Sequence, residues 1–431
     1  MTRKMKDSGI EWIGMIPEGW NVGRVKHYYH IVLGKMLQPN SKSETDELLP
    51  YMCAVNITWK GVDIATTKSM WFSKEERKNY KLHKGDLLVT EGGDVAVSCI
   101  WNDEIDDCYI QNAVHRVRPK VHGCNRFLYY WMTVLKKYGY IDMVCNKATL
   151  AHFTKEKLEE CIYIAPSQSE QIRIADYLDA KCAEIDALIA AQKKSNTLLK
   201  EYRQSIIFEA VTKGLDPNVP MKDSGIEWIG MIPEGWGLER LKYHAVLNPN
   251  IVLPSLSDDS DVTFIPMDHL KKGYHMKSTT TYEKVKKGYV IFENNDILMA
   301  KVTPCLENGN LAIASQLING IGFGSTEINV IRCKCIENKY LYYLLQCDGY
   351  INKATYEMYG VAGLKRLDPS FIPNSLIPIP PQSDQQRIVS FLDAKCAEID
   401  VLIEANEKTI NQLKEYRQSV IFEAVTGKME V

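Results

Sequence analysis

Two long segments of this chain each occur twice. Met5–Trp20 reads MKDSGIEWIGMIPEGW, and Met221–Trp236 repeats those sixteen residues without a change. Leu178–Thr212 returns as Leu392–Thr426 with 26 of 35 positions identical. A repeat with a period above 200 residues is a duplicated domain, because the units of a solenoid are much shorter. The sequence therefore predicts a duplicated framework, which we call the frame and which consists of the two repeated segments.

The tracts between the repeated segments share little obvious sequence, although their lengths are similar. Residues 21–177 and 237–391 contain 157 and 155 residues. A chain of 431 residues is long enough for about two to four domains. Its 45% hydrophobic and 25% charged residues are ordinary for a globular protein. Each insert can therefore form its own core.

The composition excludes some classes of protein and leaves others open. The sequence has no apolar run that could cross a bilayer, no apolar secretory region at its start, and no C-x-x-C spacing among its twelve cysteines. We therefore expect reduced thiols, a cytoplasmic location and no membrane partner. The net charge is −2, and the inserts carry 21 basic against 19 acidic residues and 16 against 15. A DNA-binding surface must then be a local patch.

Residues 178–212 and their copy have the pattern of long helices. They lack Gly and Pro, their apolar or small residues recur at alternating spacings of four and three, and Gly214 and Gly427 lie where the helices would end. Ser167-x-x-Glu170 and Ser383-x-x-Gln386 have the form of capping boxes. Thirty-five helical residues span about 52 Å. The residues expected at the helix contact or at a docking surface are Leu178, Ile185, Ile189, Leu199, Tyr202, Arg203, Ile206, Leu392, Ile399, Ile403, Leu413, Tyr416, Arg417 and Val420.

Two helices with the same heptad pattern can pack in either direction. A two-fold axis that crosses them makes them antiparallel, and parallel packing would bring both inserts to one end. A spacer of this length matches one to two turns of a duplex, at about 34 Å per turn. A coiled coil that only dimerises the protein is the alternative. The sequence KEYRQS occurs at 200–205 and at 414–419, as expected for a surface that docks two copies of one partner. Recent gene conversion would also produce that identity.

Both inserts mix strand and helix patterns. Residues 86–101 and 109–119 predict strands before a helix near 125–137, and residues 289–315 and 318–332 predict strands before a helix at 338–346. Side chains that suit DNA bases or phosphates cluster in these strands. In the first insert the candidates are Gly92, Gly93, Gln111, Asn112, His115, Arg116 and Arg118, and in the second they are Lys301, Thr303, Asn308, Asn310, Ser325 and Thr326. For any one of them a solvated strand face is the alternative, and Gly92-Gly93 lacks the spacing of a phosphate loop.

Motifs for catalysis are not found in the sequence. Asn248-Pro249-Asn250-Ile251 departs from the Asn/Asp-Pro-Pro-aromatic loop of an amino-methyltransferase. The chain has neither a G-x-x-x-x-G-K-[ST] loop nor H-E-x-x-H, and the acidic run at 103–107 is better explained as a solvated loop than as a metal site. We expect no catalytic residue, no metal and no cofactor bound by this chain.

The frame resembles the specificity subunit of type I restriction–modification systems. The order is box–insert–helix, twice, with SGIEWIGMIPEGW in the box, Gln-rich helix starts at 168–171 and 382–386, and the endings FEAVTKG and FEAVTGK. EGGDVAVSCIW, QNAVHRVRP, ENGNLAIAS and GIGFGSTE resemble stretches of the family's target-recognition domains. The resemblance implies an α+β fold, in which two target-recognition domains are joined by two long helices that form an antiparallel coiled coil, as a pseudo-two-fold tandem repeat. It implies recognition domains at 1–165 and 215–379 and coiled-coil helices at 166–214 and 380–431.

The family also implies function and partners. Each domain would read one half of a bipartite, asymmetric site in double-stranded DNA, and the helices would set the spacing and dock two methyltransferase subunits. The complex would methylate adenine with S-adenosylmethionine, and restriction subunits would add ATP- and Mg²⁺-dependent cleavage for host defence. All of this chemistry would lie in the partners. The alternatives are a nuclease fused to recognition domains and a coiled-coil scaffold without a DNA function.

Overall fold

The structure is a computed structural model that describes residues 3–145, 152–253, 255–361 and 363–431. The chain divides into two compact units. Unit 1 comprises Met1–Gln192 with Lys408–Val431, and unit 2 comprises Lys193–Glu407. Each unit therefore contains one insert and a segment of each long helix. The domain boundaries predicted above follow chain order instead, and they stay a prediction.

Unit 1 is a mixed α/β unit. Its described strands are β1 (Met5–Asp7), β2 (Met15–Pro17), β3 (Asn21–Arg24), β4 (Tyr29–Leu33), β5 (Glu47–Met52), β6 (Ile57–Thr58), β7 (Gly61–Val62), β8 (Lys68–Phe72), β9 (Leu87–Thr90), β10 (Ser98–Ile100), β11 (Tyr109–Ile110), β12 (Val114–Pro119) and β13 (Ile162–Ala165). Its described helices are α1 (Val25–Tyr28), α2 (Lys74–Tyr80), α3 (Asn125–Lys137), α4 (Tyr140–Val144), α5 (Lys155–Glu160) and the first part of α6 (Gln168–Lys213).

The central sheet of unit 1 is buried on both faces along its inner strands, β9 and β12. Its strand order is β10-β9-β12-β4, and all of its pairs are antiparallel. Because side chains alternate along a strand, Leu87 and Val89 join the core formed with α3 and the long helices, whereas Leu88 joins a second core. A smaller sheet, β11-β5-β8, adjoins the second core. The helix expected near 125–137 is confirmed as α3.

Unit 2 repeats this plan. Its described strands are β14 (Met221–Asp223), β15 (Met231–Pro233), β16 (Gly237–Arg240), β17 (Ala245–Leu247), β18 (Asp261–Ile265), β19 (Ser278–Thr281), β20 (Val290–Glu293), β21 (Ile297–Ala300), β22 (Leu311–Ile313), β23 (Ile321–Gly324), β24 (Ile328–Cys333), β25 (Met358–Val361), β26 (Leu364–Leu367) and β27 (Leu376–Ile379). Its described helices are α7 (Tyr282–Val285), α8 (Asn338–Leu345), α9 (Asp348–Tyr356), α10 (Phe371–Asn374) and part of α11 (Gln382–Val425).

The two units share one strand order, which confirms the tandem repeat. The central sheet of unit 2 runs β22-β21-β24-β17, so each strand occupies the place of its counterpart in β10-β9-β12-β4. The alternation recurs as well, since Ile297 and Met299 join one core and Leu298 and Ala300 join another. The inserts that share little sequence therefore have the same topology in their central sheets.

Helices α6 and α11 are longer than the repeated segment. They contain 46 and 44 residues, because each begins about ten residues before the repeat. Ser167 caps α6 as predicted, since the Glu170 amide donates to its Oγ and its own amide donates to the Glu170 carboxylate, each at 3.3 Å. The capping box predicted at Ser383 is wrong. Helix α11 begins at Gln382 after a proline, so Ser383 already lies inside the first turn.

The long helices run antiparallel within each unit, which confirms the predicted direction. In unit 1, Arg417 of α11 lies 3.3 Å from Asp186 of α6, and Leu178 of α6 lies in one core with Val425 at the end of α11. In unit 2, the Asn406 amide donates to Asn196 Oδ1 at 2.8 Å, and Arg203 donates to Asp400 at 2.5 Å. In both units rising residue numbers on one helix meet falling numbers on the other.

The sixteen-residue box closes each unit against a helix end. It forms a short hairpin, β1-β2 or β14-β15, in which the amides after the Asp-Ser pair donate to those two side chains. Trp20 and Trp236 are buried by it. Gly427 and Gly214, at φ values of +71° and +77°, end the helices, and each lies against the tryptophan of its own unit. The box therefore has the same packing role in both units.

Candidate nucleic-acid interface

One edge of the central sheet collects most of the candidate residues of unit 1. Gly92 and Gly93 follow strand β9, and Gln111 and Asn112 precede strand β12. The Glu91 amide donates to the Ala113 carbonyl at 2.9 Å, which joins the two loops. The Gln111 amide group donates to the Asn112 side chain. The edge therefore presents two neighbouring carboxamides and a glycine turn, of which Gly93 has a φ of +74°.

Three basic candidates of unit 1 are placed differently. His115 is fully buried, with Nε2 donating to the Phe153 carbonyl at 2.8 Å, and burial lowers its pKa. Arg116 is 6% exposed and donates to the Lys81 carbonyl. Arg118 makes a bidentate ion pair with buried Asp86 at 2.6 and 2.7 Å. A side chain without exposed surface cannot reach a base, so His115 and Arg116 lack access in this structure, and Arg118 is occupied.

The equivalent edge of unit 2 collects all six of its candidates. Lys301, Thr303, Asn308 and Asn310 lie in and around the turn after β21, and Ser325 and Thr326 lie before β24. The Lys301 amide donates to the Glu327 carbonyl at 3.1 Å, which joins these loops. Asn308 and Thr326 are exposed, and burial lowers the pKa of Lys301. Amide, hydroxyl and ammonium groups are the types that hydrogen-bond to bases and phosphates.

The inserts share two structural signatures that were not predicted from the sequence. Asn125–Tyr130 and Asn338–Tyr343 both read Asn-basic-aromatic-Leu-Tyr-Tyr, at the start of α3 and α8. Tyr130 donates to Asp179 of α6 at 2.7 Å, and Tyr343 donates to Asp393 of α11 at 2.8 Å. Aligning the two inserts on this shared hexapeptide would have revealed both signatures from the sequence.

The second signature is a buried aspartate–arginine pair in the central sheet. Asp86 and Arg118 of unit 1 are matched in unit 2 by Asp296 and Arg332, whose two contacts are both 2.7 Å. Both aspartates are almost fully buried. The recurrence of the pair in two units that differ elsewhere indicates a structural role for Arg118.

A buried glutamine joins each long helix to its domain. Gln171 accepts from the Tyr163 hydroxyl and donates to the carbonyls of His122 and Pro166, all at 3.0 Å. Gln385 accepts from the Glu337 amide at 2.7 Å and donates to the Pro380 carbonyl at 2.9 Å. The Gln-rich helix starts in the sequence therefore hold the helices on the inserts.

The residues predicted for the helix contact fall into three groups. Leu178, Ile185, Ile189, Leu392, Ile399 and Val420 are buried; Leu199, Arg203, Ile206, Ile403, Leu413 and Arg417 are partly buried; Tyr202 and Tyr416 are exposed. At residue 206 the heptad pattern is displaced by one position, because Ile207 turns into the core of unit 2 and is fully buried.

No group of three potential metal ligands occurs among the described residues, and no described helix is long and apolar enough to cross a membrane.

A family model described as the type I restriction modification DNA specificity domain matches residues 17–198 and 248–415. The chain belongs to this family. The specificity subunit of the type I restriction enzyme EcoAI from Escherichia coli is 39% identical over 163 residues, which are 37% of this chain and 27% of that protein. The match thus spans about a quarter of that relative's length. The MjaVIII specificity subunit of Methanocaldococcus jannaschii is 21% identical over 426 residues, 96% of this chain and 94% of its own.

Solved structures agree with this assignment at the level of fold. A chain from a study of complex assembly and conformational transition of the type I R-M system superposes with a TM-score of 0.73 and 15% identity. The match covers 96% of this chain and 99% of that one. At such low identity the likeness shows a shared fold, and it carries no residue-level contacts.

Proposed function

We propose that this chain is the DNA-recognition subunit of a type I restriction–modification complex, and that each unit reads one half of a bipartite, asymmetric site in duplex DNA. One observation carries the proposal. The two units present different polar side chains, such as Gln111 and Asn112 against Asn308 and Thr326, at the same edge of the same sheet. A shared scaffold with unlike loops is what two readers of different sequences require.

The chemistry belongs to the partners under this proposal. The chain positions and reads the duplex, whereas methyltransferase subunits methylate an adenine of each half-site with S-adenosylmethionine. Restriction subunits add cleavage that uses ATP and Mg²⁺. The most direct experiment maps methylated adenines in DNA from cells that express this chain with its methyltransferase. A bipartite motif with a fixed spacer is expected, and scattered methylation without a motif would contradict the proposal.

Modularity gives a second test. Replacing residues 21–160 with the corresponding part of another recognition domain should change only one half of the mapped site. A change in both halves would contradict the proposal that each domain reads one half of the site. If the purified chain alone cleaves DNA in the presence of Mg²⁺, the result would favour a nuclease. If the gel mobility of the mapped duplex stays unchanged when the chain and the methyltransferase are added, the result would favour a scaffold without a DNA function.

The long helices are proposed to set the spacer between the half-sites. Both are uninterrupted at the residues where the chain divides into units, between Gln192 and Lys193 and between Glu407 and Lys408. Seven residues inserted at each point add about two turns. The mapped spacer should lengthen while both half-sites stay the same. An unaltered spacer would contradict this role.

A repeated surface on the helices supports the docking of two identical partners. In unit 1, Lys181 bonds Glu184 at 2.8 Å, and Leu188 lies one further turn along α6. The hydrogen bond to Glu184 raises the pKa of Lys181. Tyr416 of α11 precedes Arg417, whose contact with Asp186 brings this part of α11 to the same stretch of α6. We call Lys181, Glu184, Leu188 and Tyr416 the unit 1 patch.

The unit 2 patch consists of the same four residue types. Lys395 bonds Glu398 at 2.8 Å, Leu402 follows on α11, and the pKa of Lys395 is raised by Glu398 first and by Tyr202 of α6. The leucines and tyrosines of both patches are 47% to 57% exposed. Exposed apolar side chains kept at equivalent positions favour a partner surface, here a methyltransferase subunit on each patch.

Native mass spectrometry of the reconstituted complex tests this docking. Changing Leu188 and Tyr416 to Glu should reduce the bound methyltransferase from two copies to one, as should the same change at Leu402 and Tyr202. All four changes together should leave none. Leu198→Glu is the matched control, because Leu198 is 54% exposed on α6 but its counterpart in the repeat is Gln412. Retention of two copies by the quadruple variant would contradict the docking site.

A further inference from the structure

The second unit carries a hairpin that the first insert is too short to contain. The sequence Asn-Lys-Ala-Thr occurs at 146–149 and at 352–355. Fifteen residues then precede helix α10 in the second insert, whereas five precede helix α5 in the first. The additional residues form strands β25 and β26, in which Tyr359 pairs with Arg366 and Val361 pairs with Leu364. The hairpin thus has no counterpart among the described residues of unit 1.

The two faces of this hairpin have different surroundings. Met358 and Leu367 point into the core of unit 2 and are buried. Because side chains opposite one another in an antiparallel pair share a face, Tyr359, Arg366, Val361 and Leu364 lie together on the other face. Val361 and Leu364 are 84% and 80% exposed. Because Val361 and Leu364 pair across the two strands, they form a contiguous apolar patch, which favours a surface that is covered in use.

The base of the hairpin is fixed to the candidate interface. Thr303 and Lys365 exchange hydrogen bonds of 3.0 Å, the Thr303 hydroxyl donates to the Gly363 carbonyl at 2.6 Å, and Arg366 pairs with Glu327 at 2.6 Å. Gly360 has a φ of +134°, and a Cβ there would lie 2.4 Å from the Leu364 carbonyl oxygen. The exposed face therefore has a defined position beside Lys301 and Thr303.

We propose that this face enters the minor groove of the duplex in the half-site read by unit 2, and that Val361 and Leu364 wedge against a base step. The inference rests on the proposed function and deepens it. Within strands β25 and β26 the charged residues are the basic Lys365 and Arg366, so the charge of the two strands suits the phosphates beside a groove. Apolar wedges flanked by basic side chains are the means by which proteins unstack and bend DNA.

The size of the face favours DNA over a protein partner. A stable protein interface buries about 800 Å² on each side, which is far more than four side chains of one hairpin supply. A wedge needs only two apolar side chains and a deformable step. Unit 2 would then read the stiffness of its half-site in addition to base edges, which selects flexible pyrimidine–purine steps. The half-site of unit 1 would lack this requirement.

The test uses the assembled chain–methyltransferase complex and the duplex whose site has been mapped by methylation. 2-Aminopurine is placed at successive adenines of each half-site, and its fluorescence reports unstacking. The wild-type complex should raise the fluorescence at one step in the unit 2 half-site. V361S/L364S should abolish that rise and weaken binding about tenfold, because the burial of two apolar side chains is lost. Lys365→Gln should weaken binding and reduce the slope of log affinity against log salt by about one.

Val252→Ser is the matched control, because Val252 is 93% exposed in the same unit but lies outside the hairpin. It should bind and fluoresce as the wild type does. If the wild-type complex binds normally and V361S/L364S shows the same affinity and fluorescence, this inference is overturned and the proposed function stands. Loss of methyltransferase from that variant at unchanged duplex affinity would also overturn it, because the face would then be a protein contact. Failure of the wild-type complex to bind the mapped duplex would overturn the proposed function as well.

Discussion

Arg203 of one long helix donates to Asp400 of the other at 2.5 Å. Its counterpart in the repeat, Arg417, lies 3.3 Å from Asp186. Both arginines are among the residues expected at the helix contact or at a docking surface, and the structure gives each a partner on the opposite helix. A polar pair at one level of a helix contact fixes register, since a shift by one turn would leave the arginine unpaired.

Charge reversal measures how much the Arg203–Asp400 pair contributes to the free energy of unfolding. Arg203→Glu should lower the free energy of unfolding by about 1 kcal/mol, because the pair is partly exposed and the variant places like charges together. Asp400→Arg in the same chain should restore most of that loss. Denaturant titration of the four members of a double-mutant cycle measures the coupling. A double variant no more stable than R203E would show that the two side chains do not interact.

The buried glutamines are a stronger test of how the helices are held. Gln171→Ala should cost about 3 kcal/mol, because the Tyr163 hydroxyl and two carbonyls lose their partners in a buried site. Gln385→Ala should have a similar cost in unit 2. Gln168→Ala, at an exposed position of the same turn, should stay within about 0.5 kcal/mol of wild type. Equal effects at Gln168 and Gln171 would contradict this assignment.

The helix-ending glycines should respond unequally to alanine. A Cβ on Gly427 would lie 2.5 Å from the Pro17 ring and 2.9 Å from Trp20, whereas on Gly214 it would lie 3.1 Å from Trp236. Both residues have positive φ, which costs any other residue about 1 kcal/mol. We therefore expect G427A to lower the melting temperature more than G214A. Gly19→Ala is the control, since a Cβ there would have no atom within 4 Å and the φ of Gly19 is not positive.

Much of the frame was predictable from the sequence, because exact repetition, helix periodicity and terminal glycines are local signals. Helices α3 and α8 followed from the same kind of pattern. The second capping box failed because Pro381 takes the position before the helix, so that Ser383 falls inside it. Ile206 is only partly buried because the helix there packs on a domain core through Ile207 as well, and a two-helix periodicity does not contain that core.

The residue types of the candidate site were predictable from the sequence, but the solvent exposure of their side chains was less so. Gln111, Asn112, Asn308 and Thr326 come to one edge in each unit because they follow or precede neighbouring strands. His115 lies on a strand that is buried on both faces, and strand alternation alone predicted one solvated face. The sequence contained no sign of that second core layer.

The role of Arg118 can be separated from DNA contact by stability. Arg118→Ala should lower the free energy of unfolding by about 3 kcal/mol, because it leaves the buried Asp86 carboxylate unpaired. Arg332→Ala should do the same to Asp296 in unit 2. Replacing the first pair by Met at 118 and Leu at 86 should recover part of the loss. If Arg118→Ala instead weakens duplex binding at unchanged stability, Arg118 is a DNA contact.

Buried His115 should make unit 1 sensitive to mild acid. Burial lowers its pKa in the folded protein, so on acidification the unfolded chain takes up the proton first, near pH 6.5. The stability from the neutral imidazole is therefore fully present above about pH 6.5 and falls as the pH drops below it, by at most about 1.4 kcal/mol per pH unit. Urea unfolding at pH 7.5, 6.5 and 5.5 should give a shallower decline for His115→Gln than for wild type. His30→Gln, at an exposed strand position, should leave the wild-type decline in place, and an equal decline in all three proteins would mean that His115 does not titrate in this range.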